Sequence, residues 1–366
     1  MKLIMYGSML LLFLLCAVIS AITPYITRKT ESFGIAIPHD FYHDPQLVRF
    51  RKQYVKYNVL IGIATAIVLG ALIGPLTENQ WSIAYLIAIF SYFLVSFFIY
   101  YHFHKKMRAI KENARWYEER KEMITIDTKF YQEKLVYSPK WFIIPLLITL
   151  VTIGLTLLYY DHFPERIPMQ YDLQGNVTRW ADKSLGTVLM MPLLQLFMTG
   201  LFLFINIVIA KSKQQLDPAR PEESRRQNII FRRRWSMFTI ISGTIMVALF
   251  LLAQLSFVVS FNSTFLFTLT MGITFIIILG ALFLTLTTGQ GGSRLKTVEG
   301  KNGKIINRDD DKYWKLGIFY FNPDDPAIFV EKRFGSGWTN NFAQPLTWVL
   351  LVGLFAIILF ITLLIP

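Results

Sequence analysis

The residues whose types and spacing could do chemistry sit in the polar stretches of the chain. His39 and His43, with Asp40 and Asp44, set imidazoles and carboxylates four apart, a spacing that shares one helix face and could hold a divalent cation. Pro38 and Pro45 bracket the group and no third cluster of ligands accompanies it, so these read as structural or surface histidines. Asp309, Asp310, Asp311, Asp324 and Asp325 form a second acidic set. Its spacing is not that of an EF-hand, and Asn322-Pro323-Asp324-Asp325-Pro326 reads as a turn capping a helix. Gly289-Gln290-Gly291-Gly292-Ser293-Arg294 is glycine-rich like a phosphate loop, yet no strand precedes it and no Gly-Lys-Ser helix start follows. The sequence has no HExxH and no GxSxG, and its single cysteine, Cys16, lies in an apolar run. The expectation is a protein that is not an enzyme and binds no cofactor or metal.

The elements that must position these residues are set by composition. Of 366 residues, 54% are hydrophobic, 15% aromatic and only 17% charged, against about a quarter charged in soluble domains. Eight stretches, near 3–23, 57–75, 81–101, 141–160, 185–210, 235–258, 264–287 and 345–365, approach the ~20 apolar residues a helix needs to cross hydrocarbon. Their interiors carry no Asp, Glu, Lys or Arg. Trp81, Tyr100, Trp141, Tyr159, Trp235 and Trp348 lie at their edges as interfacial belts would. Gly62, Gly70, Gly154 and Gly280 are read as points of close helix approach. The fold class is therefore an all-α polytopic membrane protein of about eight spans.

The net charge of +13 comes with a lopsided distribution: 33 of the 37 Lys and Arg fall in the loops after spans one, three, five and seven. The positive-inside rule places those loops in the cytoplasm and both termini outside, so the charge reports topology and not nucleic-acid binding. The opening MKLIMYGSMLLLFLLCAVISA also resembles a signal peptide, with Ala17 and Ala21 near a cleavage site, but is read as an uncleaved anchor. Within the spans the strongest polar groups are Gln195, Asn206 and Gln254, expected to make interhelical hydrogen bonds. Intramembrane charge, the usual mark of ion coupling, is absent from the sequence of the spans.

The loops carry their own signals. Asp44-Pro45 reads as a helix N-cap and first helical residue, with the helix running on into span two. Met107, Ile110, Ala114 and Tyr117 fall at helical spacing beyond span three, supported by Arg108–Glu112 and Arg115–Glu119 pairs; the alternation in 124–137 then predicts a short hairpin. The basic run Arg225, Arg226 and Arg232 to Arg234 reads as positive-inside anchoring, with acidic lipid headgroups as a second reading. An internal echo joins loop one (Phe33-Gly34-Ile35, Asp44-Pro45) to loop seven (Leu316-Gly317-Ile318, Asp325-Pro326); as a true repeat it would bring the two loops together.

Loop seven, about 288–344, is too long for a simple connection and too aromatic for a disordered one. Residues 311–344 are expected to fold against the helix ends with aromatic side chains inward and a tight turn at Gly335 and Gly337. The segment then either seals the bundle as a cap or docks a cytoplasmic regulator, with Trp314, Asp325, Lys332, Arg333 and Trp338 as docking candidates and Lys332 and Arg333 exposed. The chain divides into an N-terminal membrane region (1–140), a four-helix membrane region (141–287), the aromatic-rich segment (288–344) and a last span (345–366).

Loop four, 161–184, carries Ile167-Pro168, Tyr171-Asp172, Gly175, Trp180 and Lys183. This pattern resembles the IP-x-x-[FY]…G…W segment of a bacterial domain of unknown function in SdpI-type membrane proteins, which act in immunity and signalling around the sporulation-delaying toxin. The stretch from Trp314 to Asn341 resembles a second uncharacterised segment appended to it. Met169-Gln170 stands where family members often have Thr-His, and the SdpI Gly-x-Arg-Thr-Pro-Trp signature is absent. The resemblance implies envelope sensing, signalling or immunity against an extracellular peptide. Its outer-loop recognition residues would be Pro168, Tyr171, Asp172, Gly175, Arg179, Trp180 and Lys183, the first, fourth and sixth for shape and Asp172, Arg179 and Lys183 for the partner. A permease or channel component and a structural envelope-assembly partner are the alternatives. The partners expected are the lipid bilayer, an extracellular peptide and a cytoplasmic regulator, with no nucleic acid.

Overall fold

In hydrocarbon a backbone amide finds no water, so apolar segments satisfy their hydrogen bonds internally as helices. The computed structural model describes residues 2–114, 121–123, 130, 133–171, 177–259, 261–295, 305–307 and 309–364. Its helices are α1 (Lys2–Ile26), α2 (Pro45–Ala71), α3 (Glu78–Ala114), α4 (Ile143–Leu158), the single turn α5 (Leu185–Val188), α6 (Met190–Lys211), α7 (Pro221–Leu255), α8 (Ser263–Thr288) and α9 (Pro345–Leu364). Among the described residues seven are long and apolar enough to cross a membrane, and α9 adds 20 uncharged residues. The protein is an all-α, multi-pass membrane protein.

Two three-helix groups form the bundle, α1–α2–α3 and α4–α6–α7, with α8 leaning on α7 and α1. In the first group Trp81 is fully buried, edge-on to Tyr6 (4.6 Å) and stacked with Tyr85 (5.3 Å), and its indole donates to the Leu69 carbonyl at 3.1 Å. This corrects its reading as an interfacial anchor: the indole N–H finds its acceptor inside the bundle instead of at the headgroups. Tyr100 is likewise buried, whereas Trp141 and Trp348 are exposed. Ser96 donates to Asn58 at 2.6 Å, and Gly62 admits Ala17 so closely that a Cβ would lie 3.0 Å from it.

In the second group Gln195 donates to the Val247 carbonyl (3.0 Å), Gln254 to Thr156 and to the Val188 carbonyl (2.8 Å each), and Ser236 to Asn206 (2.6 Å). The expected interhelical bonds are thus made. Gly280 admits the Phe238 ring, but Gly70 and Gly154 approach nothing; the closest approach is at Gly243, where a Cβ would meet Phe202 at 2.7 Å.

Several helices run past the apolar stretches at one end, the end that carries the basic loops and is called the basic face below. Asp44 caps α2, accepting from Gln46 (2.8 Å) and Leu47 (3.3 Å), with Pro45 at the first helical position. Helix α3 continues to Ala114, and Arg108 bonds Glu112 at 3.1 Å. The Arg115–Glu119 pair, Tyr117 and most of the hairpin expected at 124–137 lie outside the described residues. Strand β3 (Lys121–Met123) pairs in parallel with β6 (Ile305–Asn307), a union of loops three and seven that local pattern does not announce.

The remaining strands are two-stranded antiparallel pieces: β1 (Glu31–Ser32) with β2 (Ile35–Ala36), β4 (Arg166–Tyr171) with β5 (Val177–Asp182), β7 (Trp314–Lys315) with β8 (Phe319–Tyr320), and β9 (Phe329–Glu331) with β10 (Trp338–Asn340). All but β4–β5 lie on the basic face. The Asn322–Pro326 turn leads into β9 and not into a helix, correcting the helix-cap reading. Asp325 spends its carboxylate on the Ala327 amide (3.0 Å), Tyr320 (2.7 Å) and Lys213 (2.5 Å), which leaves it no helix terminus to cap.

Candidate functional site

Two constructions stand at opposite ends of the bundle. The first is the β4–β5 hairpin between α4 and α6, in which Pro168 faces Trp180, Gln170 faces Arg179, and Tyr171 faces Val177. Its root is apolar. Phe163, Ile167 and Val188 are buried together, with Phe257 of the α7 end 6.3 Å from Phe163. Trp180 is 51% exposed and Arg179 is exposed on the same strand. Asp172 and Gly175, and the side chain of Tyr171, lie outside the described residues.

Lys183 behaves differently from its sequence reading. Its ammonium turns back to the Phe163 carbonyl at 3.1 Å, lies 3.7 Å from Glu165 and sits 5.0 Å over the Tyr160 ring. A lysine flexible enough to reach a partner finds carbonyl and ring acceptors next to it, so it ties the hairpin to the end of α4.

The second construction is a cap on the basic face. Two hairpin turns build its centre. In each, a bulky residue and a glycine take left-handed backbone in succession: Phe33 (φ 47°) with Gly34 (78°), and Leu316 (53°) with Gly317 (72°). Consecutive positive φ angles are what a tight two-residue hairpin needs. The two turns meet over α3, where Tyr100 donates to the Leu316 carbonyl at 2.9 Å and His104 Nδ1 bonds the Phe33 carbonyl at 2.8 Å. The echo between loops one and seven is a spatial pairing.

Around this centre lies a buried charge network. Glu331 of β9 is fully buried and pairs with Arg28 beyond α1 and, at 3.5 Å, with Arg232 of α7. It also accepts from Asn228 at 2.8 Å and Gln290 at 3.3 Å. Arg232, equally buried, spreads its guanidinium over the carbonyls of Ile209 (2.9 Å), Ser212 (3.1 Å) and Lys213 (3.1 Å), satisfying the C-terminal end of α6. The glycine-rich run that resembles a phosphate loop is the seat of Arg28: a Cβ on Gly291 would meet that guanidinium at 2.5 Å.

A second network holds Arg333, which pairs with Asp310 and Asp311 and donates to the Gly34 carbonyl at 3.3 Å, while Lys111 reaches Asp311 at 2.6 Å. Burial pushes the Asp311 carboxyl up, but Arg333 and Lys111 beside it outweigh that and hold it below the usual carboxylate range. Glu31 shows the reverse. Burial raises its carboxyl to about 7 despite Arg28 and Arg333, with Asp310 and Glu331 adding to the rise, and its Oε2 is buried without a hydrogen-bond partner.

Of the docking candidates, Lys332 is exposed. Arg333, expected to be exposed, is buried, because two carboxylates and a carbonyl converge on it. Trp314 is buried 5.0 Å from Tyr320, Asp325 is buried in the contacts given above, and Trp338 is half-buried 5.2 Å from Phe231. Phe319 and Phe321 point outward, not inward. Gly335 and Gly337 take φ of 93° and 104° at the turn between β9 and β10. The residues 309–344 thus pack against the helix ends, as expected for both readings of the segment. Sequence reading gives Arg28, Asn228, Arg232, Gln290 and Glu331 no part in a common network. A signal was available in Asn228, Arg232 and Ser236, which fall four apart on one face of α7.

Two family models match parts of the chain, and each falls on one of these constructions. A domain of unknown function (DUF1648) matches residues 147–196, which are α4, the hairpin and the start of α6. A family of unknown function (DUF5808) matches residues 323–348, from the Asp325 turn through β9 and β10 into α9. No curated protein and no solved structure matches the chain. DUF1648 is found in SdpI-like membrane proteins, and the match of this chain to it covers residues 147–196 alone.

Proposed function

We propose that the chain is a bacterial plasma-membrane sensor or immunity protein. Its β4–β5 hairpin meets an extracellular peptide, and its cap reports or holds the state of the bundle on the cytoplasmic side. The orientation follows from the concentration of Lys and Arg in the loops of the basic face. In this reading the protein performs no catalysis of its own.

The observation that carries the reading is that α7 touches both constructions. At one end Gln254 holds the Val188 carbonyl at the hairpin root (2.8 Å); at the other Asn228 and Arg232 hold Glu331 of the cap. A displacement of the hairpin root thus acts on the same rigid helix that seats the cap. The test is survival of a deletion strain under a panel of envelope-active peptides. Sensitivity to at least one peptide should be rescued by the parent gene but not by Trp180→Ala present at parental membrane abundance. Equal survival of deletion and parent strains against every peptide would remove the reading.

A further inference from the structure

Many cations of the basic face are satisfied inside the protein. Lys111 has Asp309 (2.8 Å) and Asp311, Arg225 has Glu133 (2.8 Å), and Arg294 has the carbonyls of Leu286 (2.7 Å) and Tyr25 (2.8 Å), besides Arg28, Arg232 and Arg333 above. Exposed cations such as Arg226 and Arg233 of α7 form no ion pair with an acid among the described residues. The same holds for Arg49, Lys52 and Lys56 of α2 and Lys105 and Lys106 of α3.

These side chains are not scattered. Helices α2 and α3 meet along a seam where Phe103 touches Phe50 (5.6 Å), Tyr54 (6.2 Å) and Tyr57 (6.3 Å). The Lys106 ammonium lies over the mouth of that seam, 5.6 Å from the Phe50 ring and 5.7 Å from the Phe103 ring. Arg49 and Lys56, seven apart, share a flank of α2 beside it, with Lys52 between them. Arg51 is turned the other way, buried and donating to the Tyr42 carbonyl at 2.5 Å, so the basic stretch is sorted by face. Further into the membrane-spanning part the same flank of α2 exposes Leu60, Ile63 and Ile67, and α3 exposes Leu94 and Phe98. Unneutralised cations at the end of a span, continuous with an exposed apolar strip, are complementary to a phosphate carrying acyl chains.

We infer that the α2–α3 seam binds the phosphate headgroup of an anionic phospholipid. Lys52, Lys56 and Lys106 supply the charge, and the acyl chains lie along Leu60, Ile63 and Phe98. A topology signal alone requires basic residues in the loop; it does not require them gathered on one seam above a strip of apolar side chains.

The test uses the full chain in detergent supplemented with phosphatidylglycerol or phosphatidylcholine of the same acyl chains, read by native mass spectrometry. The parent should retain phosphatidylglycerol preferentially, and Lys52→Ala/Lys106→Ala should lose at least about tenfold of that retention, since each cation near an anionic surface contributes roughly fivefold. Arg226→Ala/Arg233→Ala removes the same charge from exposed positions on α7 and should retain the lipid like the parent. Lys52→Gln/Lys106→Gln, which keeps the side-chain stems, should repeat the loss should the first pair fold poorly. Equal retention of the two lipids, equal loss from both alanine pairs, or displacement by millimolar inorganic phosphate would overturn the assignment.

Discussion

Gly34 and Gly317 face each other across the two hairpin turns of the cap: a Cβ on Gly34 would lie 2.4 Å from the Gly317 carbonyl oxygen and 2.6 Å from the Tyr100 hydroxyl. A Cβ on Gly317 would meet His104 at 2.7 Å. Neither obstacle is the free end of a flexible chain, and both glycines hold left-handed backbone. Two segments nearly 300 residues apart in sequence thus interlock through the absence of two side chains.

Gly34→Ala and Gly317→Ala should each destabilise the protein by at least ~2 kcal/mol, adding a clash (with the Gly317 backbone in the first, with the buried His104 ring in the second) to left-handed strain of roughly 1–2 kcal/mol. Gly337→Ala meets no atom within 4 Å and should cost only the strain. Thermal unfolding in detergent checks the ranking. Equal effects at Gly337 and Gly317 would mean that the turns do not interlock.

Glu331→Gln should lower stability by about 3–5 kcal/mol, because it leaves half-buried Arg28 and buried Arg232 without their carboxylate. Membrane abundance and protease resistance of the cap are the measurements. Lys332→Ala, one residue away and exposed, should leave both unchanged.

Stability should depend on pH through Glu31. Its carboxyl titrates near 7 when folded against 4.5 when free, so between those values the folded chain holds a proton the unfolded chain has lost. Stability therefore falls as pH rises across that window, by at most ~1.4 kcal/mol per pH unit, and levels off above it. Asp311 and Asp325 are shifted the other way and lose their contribution only as pH falls below the usual carboxylate range. Glu31→Gln should remove this downward contribution to the slope between pH 4.5 and 7, measured by proteolysis of the cap. An unchanged slope would assign it to other groups.

Lys183→Ala should loosen the hairpin root and reduce membrane abundance, having lost the Phe163 carbonyl and the Tyr160 ring, at roughly 1 kcal/mol. Parental abundance together with lost peptide protection would instead place Lys183 on the recognition surface.

The proposed orientation is tested by reporter fusions. A fusion after Gly175 should behave as extracytoplasmic, and fusions in the loops after α1, α3, α6 and α8 as cytoplasmic. Cytoplasmic activity of the Gly175 fusion would reverse the whole arrangement.

The spans were legible because lipid imposes length and apolarity on each one separately, and Asp44-Pro45 because a cap is a local device. The pairing of Phe33-Gly34 with Leu316-Gly317 was visible only as a repeated triplet, whose meaning depends on two distant turns arriving at Tyr100 and His104. Arg333 misled because a basic residue near the membrane is ordinarily solvated, and nothing local announces that Asp310, Asp311 and the Gly34 carbonyl converge on it. Arg232 was hidden within a run of arginines that topology alone explains. Burial of charge is a tertiary fact, set by partners rather than by neighbours.

The Glu331 network also fixes an order of events during synthesis. Arg28 and Arg232 leave the ribosome roughly 300 and 100 residues before Glu331 does. Until β9 arrives, Arg28 and Arg232 have no Glu331 carboxylate to pair with, although Arg232 can already hold the carbonyls at the end of α6. The segment that carries β9 is therefore the last part of the charge network to arrive: a chain cut short before it carries most of its spans yet leaves these cations without their carboxylate.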